Sequence, residues 1–473
     1  MILAIDQGTT GTTCLIVDDE LRIQGRGYRE LPQHFPRPGW VEHDPEEIWE
    51  SVVAAADAAL RDAEVRPRAL RAVGITNQRE TTLVWERRTG RPIAPAIVWQ
   101  DRRTAERCRE LPADLIRART GLVPDPYFSA TKLEWLLART EVPTPELAFG
   151  TVDSWLVWRL TGGLVHVTDT TNASRTMLVD LDSLEWDHEL LALFGVDPSV
   201  LPRVVPSSGF VAEAELLGAT VPIAGIVGDQ QAALVGHGCF ERGEAKATYG
   251  TGSFVLVHAG REREVGAPPG LLETAAAPDG YALEGAVLAS GAALQWLRDG
   301  LSILLDVSES EAIARQVEST CGVFFVPALT GLGSPHWRPD ARGVISGITR
   351  GTGRAHLVRA ALEAIAFQVA DVLDAFPSQI AVLRADGGAS ANTFLMQFQA
   401  DLLGCRVEVA AERETTGLGA AVLAGRAVGL WPDDDQVRSR LRRGRVYEPA
   451  GDPGDLERLR SDWRLAVARA LVR

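Results

Sequence analysis

The feature that most constrains the fold of this 473-residue chain is a short pattern that occurs near the start of each half. Residues 5–15 and residues 247–255 each read as a strand, a turn rich in glycine and threonine, and a second strand. Two halves that share one plan would place these turns opposite each other across a cleft. The repeat therefore predicts a first domain at residues 1–238, a second at 239–435 and a helical tail at 436–473.

The rest of the chain has the pattern of an α/β protein, because short apolar runs alternate with amphipathic helical segments. Predicted strands include residues 2–5, 14–17, 72–76, 82–85, 223–227 and 380–383. We expect a helix that Asp153 caps and that ends at Leu160. Its two tryptophans, Trp155 and Trp158, lie three positions apart, which favours packing in a core over binding a ligand.

Composition excludes several functional classes. The only lysines are Lys132 and Lys246, and neither follows a glycine, so the chain contains neither a P-loop nor the strand lysine of protein kinases. The net charge of −15 predicts no binding to nucleic acid and none to anionic lipid. No uncharged apolar stretch reaches the roughly 18 residues that span a bilayer, so no membrane insertion is expected. The five cysteines lie far apart, which indicates buried reduced thiols and a cytoplasmic protein.

Both Gly-Thr turns, residues 8–10 (the first turn) and 250–252 (the second turn), have the chemistry of a phosphate site. Glycine lets backbone N–H groups approach an anion closely, and threonine adds a neutral hydroxyl donor. Asp6 ends the first strand, where its carboxylate could hold Mg²⁺ directly or through water. Residues 387–388 are two glycines that open a helix, and the positive end of a helix attracts anions. Close packing of a strand on a helix is the alternative reason for those glycines.

A second constellation predicts a site for a small polar ligand. Residues 76–82 present polar side chains in a row at the end of a strand, and Arg79 beside Glu80 suggests hydrogen bonds to hydroxyl groups. The alternative is a surface loop held by salt bridges. Asp229 follows an apolar strand, where α/β proteins keep catalytic groups, although a simple helix N-cap is the other interpretation. Because a kinase for an alcohol needs a carboxylate to orient or accept the hydroxyl proton, Asp229 is the candidate base and Gln230 could hold a neighbouring hydroxyl.

Taken together, these segments resemble the FGGY carbohydrate-kinase family, and within it the members that phosphorylate glycerol. The segments occur in the family's order and at similar spacings from the first strand to about Trp431. They are residues 6–10, 39–45, 77–82, 125–129, 228–231, 248–252, 386–388 and 394–399. The resemblance implies two actin-like, ribonuclease-H-like α/β domains around a central cleft. It also implies transfer of a phosphoryl group from ATP, with Mg²⁺, to glycerol, and we expect a homodimer.

The resemblance further implies roles for individual residues. Asp229 matches the catalytic base, and Asp6 matches the magnesium position. The positions that match contacts to glycerol are Arg79, Glu80, Trp99, Tyr127, Asp229, Gln230 and Phe254, of which Trp99 and Phe254 flank the carbon backbone. The positions assigned to the nucleotide site are Thr9, Thr10, Gly11, Thr13, Thr251, Gly291, Gln295, Gly388 and Asn392.

One departure from the family concerns the nucleotide phosphate. After the first turn the family commonly has Ser-Ser-Arg, and its arginine touches a phosphate, whereas this chain has Gly11, Thr12 and Thr13. The cation is therefore missing from position 13. We expect the phosphate contact to be weakened or rerouted and the activity to be kept.

Two alternative functions share part of these sequence features. The first is an FGGY kinase for a pentulose, erythritol or dihydroxyacetone, against which residues 78–80 and Tyr127 argue. The second is a non-catalytic nucleotide-binding protein of the actin type. Such a protein would not need Asp229, Arg79 and Glu80 to face its nucleotide.

Overall fold

The computed structural model of the protein describes residues 1–263, 266–377 and 379–472. Two β-sheets flanked by helices form its centre. The strands of the first sheet, in spatial order, are Ser208–Leu216, Ala219–Gly228, Ala72–Asn77, Ile2–Gln7, Gly11–Val17 and Ile23–Glu30. Those of the second sheet are Leu272–Ala275, Tyr281–Val287, Ser253–Gly260, Ala245–Tyr249, Val382–Asp386, Arg406–Ala410 and Arg443–Tyr447. The other strands pair in twos: Glu42–His43 with Ala96–Ile97, Leu83–Glu86 with Leu147–Gly150, Val167–Asp169 with Arg203–Val205, Val179–Asp180 with Glu185–Trp186, and Phe324–Val326 with Val344–Ser346.

Helices cover the faces of both sheets. The α-helices are Pro45–Asp62, Ala105–Arg109, Ala113–Thr120, Ser129–Leu137, Val152–Leu160, Thr170–Ala173, His188–Leu193, Asp229–Gly236, Gly291–Asp299, Ser310–Ala314, Arg354–Asp374, Thr393–Leu403, Thr415–Ala427, Asp434–Arg440 and Pro453–Leu471. Short 3₁₀ helices occur at Pro67–Ala69, Thr144–Glu146, Pro198–Val200, Val307–Glu309 and Gly388–Ala391. None of the described helices is long and apolar enough to cross a membrane.

The two sheets share one order of strands. In each sheet three antiparallel strands are followed across the sheet by two parallel strands and then by an antiparallel edge strand. The second sheet carries Leu272–Ala275 as an additional edge strand. The predicted α/β fold of two matching halves is therefore confirmed, and each half begins with a hairpin that contains one of the two Gly-Thr turns.

One helix connects the halves. Thr415–Ala427 lies in the chain between two strands of the second sheet, Arg406–Ala410 and Arg443–Tyr447, but it packs on the first sheet and on helix Asp229–Gly236. The two helices touch at backbone distance, since a Cβ at Gly419 would lie 1.8 Å from the carbonyl oxygen of Ala232. By packing, this helix belongs to the first sheet, although it lies within the predicted range 239–435.

The tryptophans of helix Val152–Leu160 lie in the core as predicted. Trp155 and Trp158 pack edge-on against Trp85, with ring centroids 5.3 and 5.7 Å apart. The predicted cap of this helix is wrong, because Thr151 is its N-cap. Asp153 lies inside the first turn, where it accepts a hydrogen bond from the Thr151 hydroxyl at 2.5 Å.

Two further expectations differ from the structure. The tail beyond residue 435 is not purely helical, because Arg443–Tyr447 forms an edge strand of the second sheet that pairs with Arg406–Ala410. The side chains of this strand are mostly exposed, so its sequence lacks the apolar alternation that predicts a strand. Four cysteines are buried as expected, but Cys321 is exposed.

Candidate active site

The site begins with the polar run that follows the central strand Ala72–Asn77. Every residue from 76 to 82 is buried, so the alternative of a surface salt-bridge loop is wrong. Glu80 has a φ of +62°, a left-handed conformation that costs about 1–2 kcal/mol for a residue with a side chain. Its carbonyl oxygen accepts hydrogen bonds from the hydroxyls of Thr82 and Ser129, at 3.0 and 3.1 Å. These bonds hold a strained turn of the kind that is common at functional sites.

Two arginines and two carboxylates form a buried cluster at this turn. Arg79 donates from both terminal nitrogens to Glu284, at 2.7 and 2.8 Å. Arg175 donates through Nε to Glu80 at 2.6 Å, and its Nη2 lies 3.4 Å from Glu284. None of the four side chains is more than 2% exposed. Because Glu284 belongs to the second sheet, the cluster also joins the two halves of the molecule.

Burial and pairing have opposite effects on the two carboxylates. Burial raises the pKa of Glu284, but the charges of Arg175 and Arg79 outweigh it and lower that pKa to about 2. Burial raises the pKa of Glu80 and prevails over the same two arginines. A buried ion pair is stable only when hydrogen bonds compensate for the loss of water. The network therefore holds the Arg79 guanidinium in one orientation.

Three aromatic rings line the space beside the cluster. The Tyr127 hydroxyl lies 3.5 Å from Nη2 of Arg79. The ring of Trp99 lies 5.5 Å from that of Tyr127 and 6.3 Å from that of Phe254, centroid to centroid. The indole nitrogen of Trp99 donates to the hydroxyl of Thr9, at 2.9 Å. Apolar ring surfaces beside a few fixed polar groups are typical of small-molecule sites, and Trp99 connects this one to the first turn.

The candidate base lies on the same side of the cluster. Asp229 is the first residue of its helix after the N-cap Gly228, so the interpretation as a simple N-cap is wrong. Its side chain is 30% exposed, and Oδ1 lies 3.2 Å from Nε of Arg79. The side-chain oxygen of Gln230 accepts a hydrogen bond from Lys246. Burial lowers the pKa of the Lys246 ammonium to about 8. The contact with Lys246 holds the side-chain amide of Gln230 in place.

Asp6 lies among carboxylates at the end of the first strand. Burial raises its pKa well above the ordinary range, and the charges of Asp229 and Glu414 raise it further. Within the described ranges no three His, Cys, Asp or Glu side chains form a ready metal site. Mg²⁺ commonly binds through one or two carboxylates, waters and substrate phosphates, and a cation would relieve the repulsion at Asp6. The residues present therefore fit Mg²⁺ that is shared with a phosphate.

Each Gly-Thr turn is closed by a hydrogen bond from the N–H of its first glycine, which spans three residues in the first turn and two in the second. The N–H of Gly8 donates to the carbonyl of Gly11, and the N–H of Gly250 donates to the carbonyl of Gly252, both at 2.9 Å. The exposed side chains among the predicted nucleotide contacts are Thr10, Thr251 and Gln295. Each turn thus presents a threonine hydroxyl to the solvent, where an anion could reach it.

Two other predicted nucleotide segments pack against the second turn. The N–H of Gly291 donates to the carbonyl of Gly250 at 3.0 Å, and a Cβ at Gly291 would lie 2.7 Å from that oxygen. Gly387 has a φ of +85°, and a Cβ there would lie 2.5 Å from the carbonyl oxygen of Tyr249. Glycine is required at both positions because the backbones meet. The segments that begin at these glycines are thereby held beside the second turn.

Three other residues predicted to contact the nucleotide, Gly388, Asn392 and Thr13, differ in their surroundings. Gly388 borders open space, since no atom lies within 4 Å of a Cβ built on it. Asn392 caps helix Thr393–Leu403, and its side chain accepts a hydrogen bond from the N–H of Leu395 at 3.0 Å. Thr13 is buried within the first sheet.

Four charged residues of the site were missed by the sequence reasoning: Arg175, Lys246, Glu284 and Glu414. A signal existed for two of them. Glu284 interrupts the otherwise uncharged, largely apolar strand Tyr281–Val287, and Lys246 is one of only two lysines and also lies in a strand. A charged residue within a buried strand indicates a paired or functional group.

Two matching sheets, each with a Gly-Thr turn, and a pocket of fixed polar groups beside the first turn define a class. The chain is an α/β protein of two matching halves, the architecture of the actin-like, ribonuclease-H-like fold. Comparison with known sequences narrows this class further. The profile of the FGGY family of carbohydrate kinases, N-terminal domain, matches residues 1–236, and the profile of the C-terminal domain matches residues 245–428. The chain belongs to this family.

Individual relatives match along the whole chain. Glycerol kinase 2 of Thermotoga maritima is 49% identical over 490 residues, which cover 99% of this chain and 98% of the relative. A glycerol kinase of Thermococcus kodakarensis is 51% identical over 487 residues, with 99% and 97% covered. The crystal structure of Plasmodium falciparum glycerol kinase with ADP has a TM-score of 0.92 at 37% identity, and the match covers 100% of this chain and 98% of that one.

Proposed function

We propose that this protein transfers the terminal phosphoryl group of ATP to glycerol and forms sn-glycerol 3-phosphate. The observation that carries the proposal is the convergence of Asp229, which is 30% exposed, and Tyr127 on the buried guanidinium of Arg79. The similarity to proteins named glycerol kinase along the full chain supports glycerol as the substrate.

The polar groups suit a short polyol. Arg79 and Gln230 have donors that can reach hydroxyl oxygens, and the carboxylate of Glu80 can accept a hydroxyl proton in a hydrogen bond. The rings of Trp99 and Phe254 would flank the carbon chain. Because the ion pairs and the Lys246 contact hold these side chains before substrate arrives, little ordering remains to oppose binding.

We assign to Asp229 the role of accepting the proton of the attacking hydroxyl group. Its exposed carboxylate would orient the attacking hydroxyl of glycerol and accept its proton as the new O–P bond forms. The Arg79 Nε lies 3.2 Å from Oδ1 of this carboxylate, which also accepts a hydrogen bond from the backbone N–H of Gln230 at 2.7 Å. Phosphoryl transfer depends mainly on positioning and charge stabilisation, so a fixed base beside the phosphate turns suffices.

For the nucleotide we propose Thr9, Thr10 and Gly11 at the first turn and Thr251 at the second. Gly291, Gln295, Gly388 and Asn392 would surround the rest of the molecule. Asp6 would hold Mg²⁺, which supplies positive charge to the phosphates when bound. The neutral donors of the turns would then complete the phosphate site.

The remaining proposals concern the assembly, the cellular location and the domain boundaries of the protein. We propose a homodimer in the cytoplasm, with domains divided at residues 238 and 435. Light scattering coupled to gel filtration measures the assembly directly, and a mass of one 51.0 kDa chain would contradict the dimer.

The proposed activity is tested by measuring ADP release in a coupled assay with glycerol, erythritol, dihydroxyacetone and xylulose, and without any polyol. We expect glycerol to give the highest kcat/KM. A higher value with another polyol would assign a different substrate. ADP release that no polyol stimulates would instead favour a non-catalytic nucleotide-binding protein.

A further inference from the structure

The arginine that the resemblance places at position 13 has no counterpart there. Thr13 lies directly opposite Asp6 on one neighbouring strand and opposite Tyr28 on the other. Residues directly opposite each other in a sheet share a face. The side chains of Asp6, Thr13 and Tyr28 therefore lie on one face of the first sheet, and no positive charge reaches this face from position 13.

A cation reaches the same face from the neighbouring strand. Arg26 lies opposite Leu15, two residues along from Thr13, so Thr13 and Arg26 are diagonal neighbours on one face. Diagonal positions in an antiparallel pair are about 7–8 Å apart, a distance that long side chains span. An arginine at 13 and the one at 26 can therefore place their guanidinium groups in the same region.

The contacts of Arg26 place its guanidinium group beside Glu414. Nε of Arg26 donates to Oε1 of Glu414 at 2.9 Å. Glu414 in turn is close enough to Asp6 for its charge to raise the pKa of that carboxyl. The side chains of Arg26 and Glu414 are 49% and 23% exposed, so the guanidinium keeps donors on its solvent side. The charge of Arg26 thus lies on the side of the sheet that carries the proposed metal residue.

The neighbouring substitutions fit the same arrangement. A Cβ at Gly11 would lie 2.5 Å from the hydroxyl oxygen of Tyr28, so the ring packs over Gly11 in a position that a side chain there would displace. The Tyr28 hydroxyl donates to the carbonyl of Thr10 in the first turn at 3.4 Å, and its ring lies 5.6 Å from the Arg26 guanidinium carbon. Gly11, Thr13, Tyr28 and Arg26 are therefore neighbours on one face of the first sheet.

We propose that Arg26 is the phosphate-binding cation of this protein and takes the place of the arginine missing at position 13. The ligand is the phosphate chain of a nucleoside di- or triphosphate bound at the first turn. The proposal rests on the proposed function, since it assigns a further residue to the nucleotide site of that reaction. A charge-assisted hydrogen bond to phosphate would supply the contact that the neutral turn lacks.

Calorimetric titration with Mg²⁺-ADP tests the proposal without turnover. We expect Arg26→Ala to weaken binding about tenfold, since hydrogen bonds to charged groups have effects of this size, and Arg26→Lys to keep most of the affinity. Arg29→Ala is the matched control, because Arg29 lies on the same strand opposite Thr12 and so on the other face. The KM for ATP should rise in Arg26→Ala, whereas the KM for glycerol stays unchanged.

A second experiment removes the positive charge from position 26 and places one at position 13. In the double variant Thr13→Arg with Arg26→Ala we expect the affinity for Mg²⁺-ADP to return to near the wild-type value. The proposal is overturned if the double variant binds no better than Arg26→Ala, or if Arg26→Ala and Arg29→Ala bind equally well. An unfolding temperature measured without nucleotide should be the same in all variants, because a half-exposed ion pair contributes little stability. If the wild type binds Mg²⁺-ADP but lacks glycerol-dependent turnover, the proposed function fails while the titrations still test Arg26.

Discussion

The two sides of the proposed active site differ in charge and in burial. The proposed glycerol side is buried and charged, with Arg79 and Arg175 paired to Glu80 and Glu284. The proposed nucleotide side consists of neutral glycine and threonine turns with exposed hydroxyls. The difference reflects what each ligand brings. A small polyol is uncharged and must be recognised by fixed hydrogen-bonding groups, whereas a nucleotide carries its own charge and needs space, backbone donors and a cation.

The two sides also differ in what fixes their structure. Charged groups on the glycerol side are held by partners on several sides, so a change in one group leaves another buried and unpaired. On the nucleotide side the shape depends on close backbone contacts at glycines, so a single methyl group is enough to distort it. Four changes test these two descriptions.

The largest effect is expected at Asp229, where the two sides meet. Asp229→Asn keeps the size of the side chain but removes the proton acceptor, so kcat should fall by about 10²–10⁴-fold. Glycerol binding, measured by calorimetry, should remain detectable because Arg79 and Gln230 are unchanged. Near-normal turnover in this variant would mean that Asp229 is not the base.

Glu284→Gln tests the charged side through stability. It leaves Arg79 and Arg175 buried with reduced pairing, and we expect a loss of about 3 kcal/mol in the free energy of unfolding at pH 7. Because the pKa of Glu284 is lowered from 4.5 to about 2, the wild-type advantage is complete above pH 4.5 and disappears as the pH falls towards 2. Denaturant titrations across this range measure the difference. Asp299→Asn, at an exposed pair with Arg298, is the control and should change nothing; an equal loss there would refute the comparison.

Gly387→Ala tests the neutral side through shape. A Cβ at Gly387 would lie 2.5 Å from the carbonyl oxygen of Tyr249, so the second turn must shift, and we expect the KM for ATP to rise about tenfold. Gly404→Ala is the matched control, since Gly404 also has positive φ but no atom lies within 4 Å of its Cβ. Steady-state kinetics with ATP varied would contradict the prediction if both variants behaved alike.

The smallest effect is expected at the link between the two sides. Trp99→Phe keeps an aromatic ring but removes the 2.9 Å hydrogen bond to the Thr9 hydroxyl. The loss of one such bond is worth about 1 kcal/mol, so kcat/KM for glycerol should fall about fivefold. A change of a hundredfold would show that the two sides are coupled more strongly than this single contact allows.

Much of the nucleotide side was predictable because its signals are local. A strand, a glycine and a threonine follow one another in the chain, and the same pattern returns in the second half. Gly291 and the glycines at 387–388 each precede or open a helix, a pattern that packing also explains, so only the resemblance assigned Gly291 and Gly388 to the nucleotide. The close approaches that require these glycines, however, involve residues far away in sequence and were not predictable.

The glycerol side was predictable only in part. Arg79 and Glu80 stood out as adjacent charges after a strand, but the obvious pairing between them is not the main one. Arg79 pairs with Glu284, which lies 205 positions further along, and Glu80 pairs with Arg175, which lies 95 positions further along. Local pattern contains no information on such partners. Glu284 meets Arg79 only when the two sheets pack together, and Arg175 meets Glu80 only when a distant segment of the first half packs against the turn.

The sequence by itself determined the repeated α/β plan, the two Gly-Thr turns, the choice of Asp229 as candidate base and the family to which the chain belongs. Those properties depend on residue types in a short stretch, or on their order along the chain. The tertiary structure decided which charges are paired, that helix Thr415–Ala427 packs on the first sheet, and that Arg26 lies on the same sheet face as Thr13. These contacts join distant segments, and their energies arise from burial and geometry that exist only after the segments have packed together.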